Sequence, residues 1–230
     1  ISNDLEKGDV HRLVYIAPGR DASLMVNEED HVRLATLVAG FRLEEARERI
    51  DRLQDDLEQH IEFAFSEDLG YLTACPTNTG TGLRLSVMMH LPALTMLEQI
   101  DLTLADLGAH GLVMRGSYGE HTENAGDLYQ ISNEVTLGRT EDQILEVLKV
   151  VVRQVIEREL EARERLAHEW RDRLEDTVCR AVGLLATARR IDSAEAVTLL
   201  SRARLGIGQP WGVNLSHAAL SQLFIQVQPA

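Results

Sequence analysis

Apolar residues along this chain follow two regimes. Up to about residue 140, short apolar runs alternate with turn residues; beyond it they recur at helical spacing almost to the end. His11 to Ala17 carries Leu13, Val14, Tyr15 and Ile16 before Pro18-Gly19, which predicts a strand and a turn. Leu24-Met25-Val26 predicts a second short strand that runs into a group of acids, and Val32 to Val38 a third. Leu43, Ala46, Ile50, Leu53, Leu57 and Ile61 then recur at steps of three and four, the single stripe of an amphipathic helix. Its intervening Glu, Arg and Asp residues read as a solvated face with local ion pairs.

Leu83 to Leu91 alternates. Leu83, Leu85, Val87, Met89 and Leu91 fall on one side, with Arg84, Ser86, Met88 and His90 on a polar side that can line a site. Pro92 opens a helix predicted to reach about Leu107, punctuated by Gly108 and Gly111. Leu112-Val113-Met114 is a strand ending at Arg115, and Leu128 to Ser132 is another. Between them the glycine-spaced stretch from Gly116 to Gly126 reads as a mobile flap that carries Glu120. Thr140 is placed to cap a long helix with Glu141 and Asp142 in its first turn. Ile144 to about Val182 is helical with a break, and further helices fit Ser193–Arg204 and Ser216–Gln226 around a Gly206/Gly208/Pro210 loop. The expected class is α+β, with a mixed region over 1–140 and a helical C-terminal region over 141–230. The boundary is a change of class rather than a flexible linker.

With 230 residues, 44% of them hydrophobic, the chain can bury one large domain or a domain with an appendage. Aromatics are only 4%, so aliphatic side chains must fill the core. No apolar run reaches membrane-spanning length. The start Ile1-Ser2-Asn3 is neither a signal peptide nor a Met start, and an excerpt or processed chain is expected. Cys75 and Cys179 make neither a disulfide framework nor a zinc spacing, which leaves a reducing cytoplasm as the default. His31, His90 and His121 also match no zinc site. Cys179, Trp170 and Trp211 read as packing residues. A formal charge of −14 argues against nucleic acid or an anionic membrane as partner and is compatible with a basic protein.

Two stretches carry the candidate chemistry. Glu28, Glu29 and Asp30 stand between two strands, where acids form either a solvated turn or a set of carboxylates able to hold a guanidinium. Arg33 follows on the same side of the chain as His31. Cys75 precedes rigid Pro76 and a turn of Thr77, Asn78 and Gly80. It reads either as a structural thiol or as one whose thiolate is favoured by the hydroxyls of Thr73 and Thr77. Arg84 suits a phosphate ligand, although no Walker signature is present. Acids for a cationic nitrogen beside arginines for phosphate point to phosphoryl transfer onto a basic nitrogen.

Asn27-Glu28-Glu29-Asp30-His31, Cys75-Pro76-Thr77-Asn78 and Arg115 through Glu120, followed by Tyr129-Gln130-Ile131-Ser132-Asn133, together resemble the guanidino (phosphagen) kinase family. Gly70-Tyr71-Leu72-Thr73-Ala74-Cys75 and Met88-Met89-His90-Leu91-Pro92-Ala93-Leu94 favour its bacterial protein-arginine kinase branch. The resemblance implies an antiparallel sheet flanked by helices, like the catalytic domain of glutamine synthetase, incomplete here at its N-terminus. It implies ATP-dependent phosphorylation of arginine side chains in proteins, with a role in protein degradation and stress control. Glu29 and Glu120 would bind the acceptor guanidinium and Cys75 would contact one of its nitrogens. Arg33, Arg84 and Arg115 would hold the ATP phosphates, completed by Leu85, Ser86, Val87 and Met88 and by Gly116, Ser117, Tyr118, Gly119 and Glu120. Mg2+ would be held mainly by the nucleotide. The family further implies an activator protein, a Clp chaperone–protease and a homodimer through the helical tail. Its upstream Ser-Ser-Arg-x-Arg segment and its downstream Arg-Asp-x-x-Arg-Ala segment are not in this sequence, so weak or absent activity is expected of these residues alone. Two other readings stay open: a kinase of free arginine or another small guanidine, and a silent domain that binds arginine or phosphoarginine.

Overall fold

The computed structural model describes residues 11–116, 125–212 and 214–227. The chain divides into two compact units, each discontinuous in sequence. One is Ile1–Leu85 with Ser132–Lys149; the other is Ser86–Ile131 with Val150–Ala230. The class change near residue 140 thus falls inside the first unit.

In the first unit β1 (Leu13–Ile16), β2 (Ala22–Val26) and β3 (Val32–Thr36) form an antiparallel meander in that order. The third strand ends at Thr36, short of Val38, and the Leu37 amide adds one further hydrogen bond in the same register, to Asp21 O at 2.8 Å. Val26 pairs with Val32, so the acidic group forms the tip of a hairpin, closed by Asn27 N–H donating to His31 O at 3.1 Å. Asn27 sits at φ 55°, a left-handed conformation that asparagine tolerates better than most side chains.

Helix α1 (Leu43–Glu58) packs against β3, and Thr36 Oγ1 donates to Ala46 O at 3.2 Å. It ends before Ile61, which is exposed. Within the same unit the first turns of α4 (Glu141–Glu169) are tied to α1 by charge: Arg47 pairs with Glu141 and Asp142, and Lys149 with Glu44. A ribbon of β4 (Phe65–Ser66) and β5 (Gly70–Tyr71) was not foreseen, since two-residue strands are too short to show alternation. Tyr71 of this ribbon exchanges backbone hydrogen bonds with Gly80, at 2.8 and 3.2 Å.

In the second unit β6 (Ser86–His90) and β7 (Leu112–Gly116) form a sheet with β8 (Leu128–Asn133), whose last two residues belong to the first unit, in the order β6-β8-β7. The strand expected from Leu83 begins only at Ser86. The helix expected from Pro92 to Leu107 is two helices, α2 (Pro92–Met96) and α3 (Ile100–Ala109). Between them Glu98 lies at φ 56°. Its amide bonds Thr95 O at 3.1 Å, while the Gln99 amide bonds Leu94 O at 2.9 Å. This is a Schellman stop with glutamate where glycine is usual, which is why the sequence conceals it. Ala93 and Leu94 N–H, free at the start of α2, donate to the buried Glu159 carboxylate of α4, which also pairs with Arg163 at 2.7 Å.

The long helical run breaks at Trp170, with α5 (Arg171–Thr187) following α4. Thr140 makes a reciprocal cap: its hydroxyl accepts from Gln143 N and its own N–H donates to Gln143 Oε1. Asp192 and Ser216 cap α6 (Ser193–Leu205) and α7 (His217–Gln226) by accepting from Glu195 N and Ala219 N. Val197, Leu200, Leu220 and Phe224 of these two helices form a buried core. Cys179 and Trp170, read as packing residues, are exposed.

Candidate active site

The hairpin tip sends its three acids in different directions. Glu28, only 4% exposed, pairs with Arg33 Nη1 at 2.9 Å and accepts from Glu29 N at 3.0 Å. Glu29 is exposed, with Asn78 Nδ2 at 3.4 Å from its Oε2. Asp30 turns to the cysteine segment: Oδ1 accepts from the amides of Ala74 (2.7 Å) and Cys75 (3.1 Å), and Oδ2 from Asn78 Nδ2 (2.7 Å). Two motifs more than forty residues apart are therefore one local structure. Glu28 and Asp30, read with Glu29 as one set of carboxylates for a guanidinium, are instead engaged by the protein's own donors, and Asn78, read only as a turn residue, joins the two motifs.

Pro76–Asn78 forms a 3-10 turn behind Cys75, closed by Asn78 N–H to Cys75 O at 3.0 Å. The Cys75 thiol lies 3.0 Å from Thr77 Oγ1. Thr73, expected to assist the thiol, instead donates to the Cys75 carbonyl at 2.6 Å and meets Thr79 Oγ1 at 2.9 Å. Of the two hydroxyls, that of Thr77 is the one that reaches the thiol. From β8's far end the buried Thr136 hydroxyl lies 2.9 and 2.8 Å from the carbonyls of Thr77 and Thr79, holding the turn from behind. Gly80 allows this approach. A Cβ there would stand 2.5 Å from Thr136 O, and its φ is 117°.

Arg84 lies just before β6, exposed, with Nη2 donating to Ser132 Oγ at 3.3 Å. Its flanks are held by Asn133, whose Oδ1 accepts from Leu85 N at 2.8 Å and whose Nδ2 donates to Leu83 O at 3.0 Å. Leu85 itself is buried, with its carbonyl taken by Asn133 N, so it serves the scaffold.

In the second unit Ser86 and Met88 are exposed along β6 and Val87 is half-buried. Ser86 Oγ accepts from Gln130 Nε2 at 2.9 Å. His90 departs from the expected polar face. Helices α6 and α7 cover it, with Nε2 2.9 Å from Ser201 Oγ and its ring edge-on to Phe224. Burial, with Arg204, Arg163 and Arg202 adding to it, pushes the His90 pKa down to about 2. Ser201 donates its one proton to the buried Asp127 carboxylate at 2.5 Å, so the network assigns the imidazole N–H to Nε2. Arg115 is half-buried in β7, next to its last residue Gly116. Ser117, Tyr118, Gly119, Glu120 and His121 lie outside the described residues.

Among the described residues no three His, Cys, Asp or Glu side chains converge as a metal site. No described helix is long and apolar enough to cross a membrane. A cavity of about 280 Å³ between α3 and α4, bridged by Arg158 and Asp106 at 2.7 Å, contains none of the candidate residues.

Residues 1–162 match the family described as ATP:guanido phosphotransferase, C-terminal catalytic domain. Residues 171–230 match the protein-arginine kinase McsB C-terminal domain. The chain is 47% identical to the protein-arginine kinase of Symbiobacterium thermophilum over 230 residues, all of this chain and 65% of that protein. It is 47% identical to that of Geobacillus stearothermophilus over 214 residues, 93% of this chain and 59% of that one. It thus spans about three fifths to two thirds of these relatives' length. Among solved structures, the duplicated taurocyamine kinase of Schistosoma mansoni with transition-state analogue components superposes with a TM-score of 0.61 at 32% identity. That match covers 72% of this chain and 23% of the other. Lombricine kinase superposes with a TM-score of 0.58 at 33% identity, over 66% of this chain and 43% of the other. Antiparallel sheets flanked by helices are the fold shared with these phosphagen kinases. The chain belongs to the ATP:guanido phosphotransferase family.

Proposed function

We propose that this chain is the catalytic portion of a protein-arginine kinase, transferring the γ-phosphoryl group of ATP to arginine side chains of proteins. The observation that carries the reading is the joined acidic hairpin and cysteine turn. There an exposed Glu29 carboxylate and the Cys75 thiol share the Asp30–Asn78 framework. An arginine side chain stays protonated in water, so its nitrogen becomes a nucleophile only as a proton leaves. Glu29 orients the guanidinium and accepts that proton, with Glu120 as second carboxylate and Cys75 against a guanidinium nitrogen. The nitrogen attacks the γ-phosphorus in line; the N–P bond forms, the bond to the β-γ bridging oxygen breaks, and ADP leaves with that electron pair. Arg33, Arg84 and Arg115 neutralise the phosphates, with the backbone along Ser86–Met88 and Gly116–Gly119 completing the nucleotide contacts. Mg2+, carried by the nucleotide, supplies further charge neutralisation.

The match of residues 171–230 to the McsB domain supports a protein acceptor over a small one. Substrate marking for degradation, stress control, an activator protein, a Clp chaperone–protease, a homodimer and a cytoplasmic setting belong to the same proposal. The likeness to taurocyamine and lombricine kinases supports the second reading, phosphorylation of a small guanidine. Incubating the full-length protein with ATP and either an unfolded arginine-rich protein or free arginine separates the two. Acid-labile phosphate on protein arginine is expected; phosphate on the free guanidine alone defeats the proposal. Glu29→Gln should lower turnover by about 10²–10⁴-fold.

A further inference from the structure

We infer that Asp30 is a positioning residue for the acceptor side of the site, an inference that rests on the phosphotransfer reading above. One carboxylate holds both ends of the turn that presents Cys75. Oδ1 receives the amides of Ala74 and Cys75 at its entry, and Oδ2 receives the Asn78 side chain at its exit. Those two amides have no backbone acceptor among the described residues, so Asp30 alone satisfies them. The same Asn78 amide reaches toward Glu29 Oε2 at 3.4 Å. Asp30 therefore fixes the Cys75 backbone, from which the thiol projects, and orients the group that faces the Glu29 carboxylate.

This arrangement suits a residue that never touches the acceptor. Its oxygens are spent on the chain, and a bidentate acceptor-only group is what two backbone donors and one amide donor require. Thr136 holds the same turn from behind through the carbonyls of Thr77 and Thr79, which leaves Asp30 to set the front, where Cys75 and Glu29 stand. A guanidinium gripped by both groups depends on their separation, and misplacement of that order is costly in rate.

The test uses the full-length protein with Asp30→Asn, Asp30→Ala and Asn78→Ala. Amide hydrogen exchange at Ala74 and Cys75 should speed up at least tenfold in Asp30→Ala, and far less in Asp30→Asn, which keeps an acceptor at Oδ1, by a rough estimate from one lost hydrogen bond. Acceptor kcat/KM should fall by about 10–100-fold in Asp30→Ala and by less in Asn78→Ala, while the KM for ATP stays within about twofold. Equal losses on the ATP and acceptor sides, or faster exchange with unchanged acceptor kinetics, would overturn the inference and leave Asp30 a merely structural residue. If the unaltered protein phosphorylates no arginine, the functional reading itself has failed. The part of the inference that stands without it, that Asp30 sets the presentation of Cys75, is then read from iodoacetamide alkylation of Cys75 in a Cys179→Ser background. A change of about threefold or more in Asp30→Ala sustains it, and an unchanged rate sinks it.

Discussion

Glu28 and Arg33 form an ion pair at 2.9 Å in which the acid is the buried member, 4% exposed against 40% for the arginine. The pair fixes Arg33 across the hairpin tip through Nη1, and a guanidinium has further donors for a second anion. Glu28→Gln keeps an acceptor for the Glu29 amide and removes the charge. Because Arg33 is partly solvated, the stability cost should be about 1–2 kcal/mol rather than the full buried-pair value. The proposed role of Arg33 adds that ATP affinity falls more than acceptor affinity. Urea unfolding and nucleotide titration of the variant check both, and an unchanged ATP affinity would remove Arg33 from the proposed phosphate ligands.

Asn133 should be among the least replaceable residues near the site. Its buried amide satisfies Leu85 N and Leu83 O, on either side of Arg84. Asn133→Ala leaves those groups without partners and should cost about 2–4 kcal/mol, at ~1–3 for each buried group left unmade. Asn133→Asp should be at least as damaging, since a carboxylate oxygen would then face the Leu83 carbonyl. Denaturant midpoints close to the unaltered protein for both variants would contradict this account.

Gly80→Ala should be disproportionately harmful for one added methyl. The residue combines φ 117° with a Cβ position 2.5 Å from the Thr136 carbonyl, a backbone atom that cannot swing aside. A loss of about 2 kcal/mol or more is expected, above the ordinary cost of strained backbone alone. Cys75 alkylation should change as well, because Thr136 and Gly80 back the same turn. Thermal unfolding and thiol labelling report the two effects separately.

His90 makes stability depend on pH in a stated direction. Its folded pKa is about 2 against an ordinary 6.5, with burial the main cause. As pH falls below 6.5 the unfolded chain takes up a proton that the native state refuses, so stability drops by about 1.4 kcal/mol per pH unit. Glu159 acts oppositely: burial raises its pKa, so the native state gains from protonation as pH falls through that raised value. Comparing the unaltered protein with His90→Gln cancels the Glu159 contribution. Between pH 7 and 5 the unaltered protein should lose about 2 kcal/mol more than the variant. Parallel curves would mean that His90 is protonated in the native protein.

Much of the scaffold was legible because its signals are local. The strands β1 to β3, α1, the Thr140 cap and the spans of α6 and α7 each follow from periodicity or from a side chain beside its own helix end. The split of the Pro92 helix was hidden because Glu98 adopts a conformation that sequence reserves for glycine. His90 was misplaced for another reason: alternation gives the face of a strand, and only α6 and α7 decide whether that face meets water.

Residue types and their order were enough to mark the acids Glu28, Glu29 and Asp30, the Cys75 turn and Arg84 as candidates, together with an α+β class. Only the tertiary structure divided the labour among the acids, sending Glu28 to Arg33, Asp30 to the cysteine turn and leaving Glu29 exposed. Neighbouring carboxylates look alike in one dimension. They differ only when specific donors, here a guanidinium from the next strand and two backbone amides from more than forty residues away, arrive within hydrogen-bond distance of one and not another.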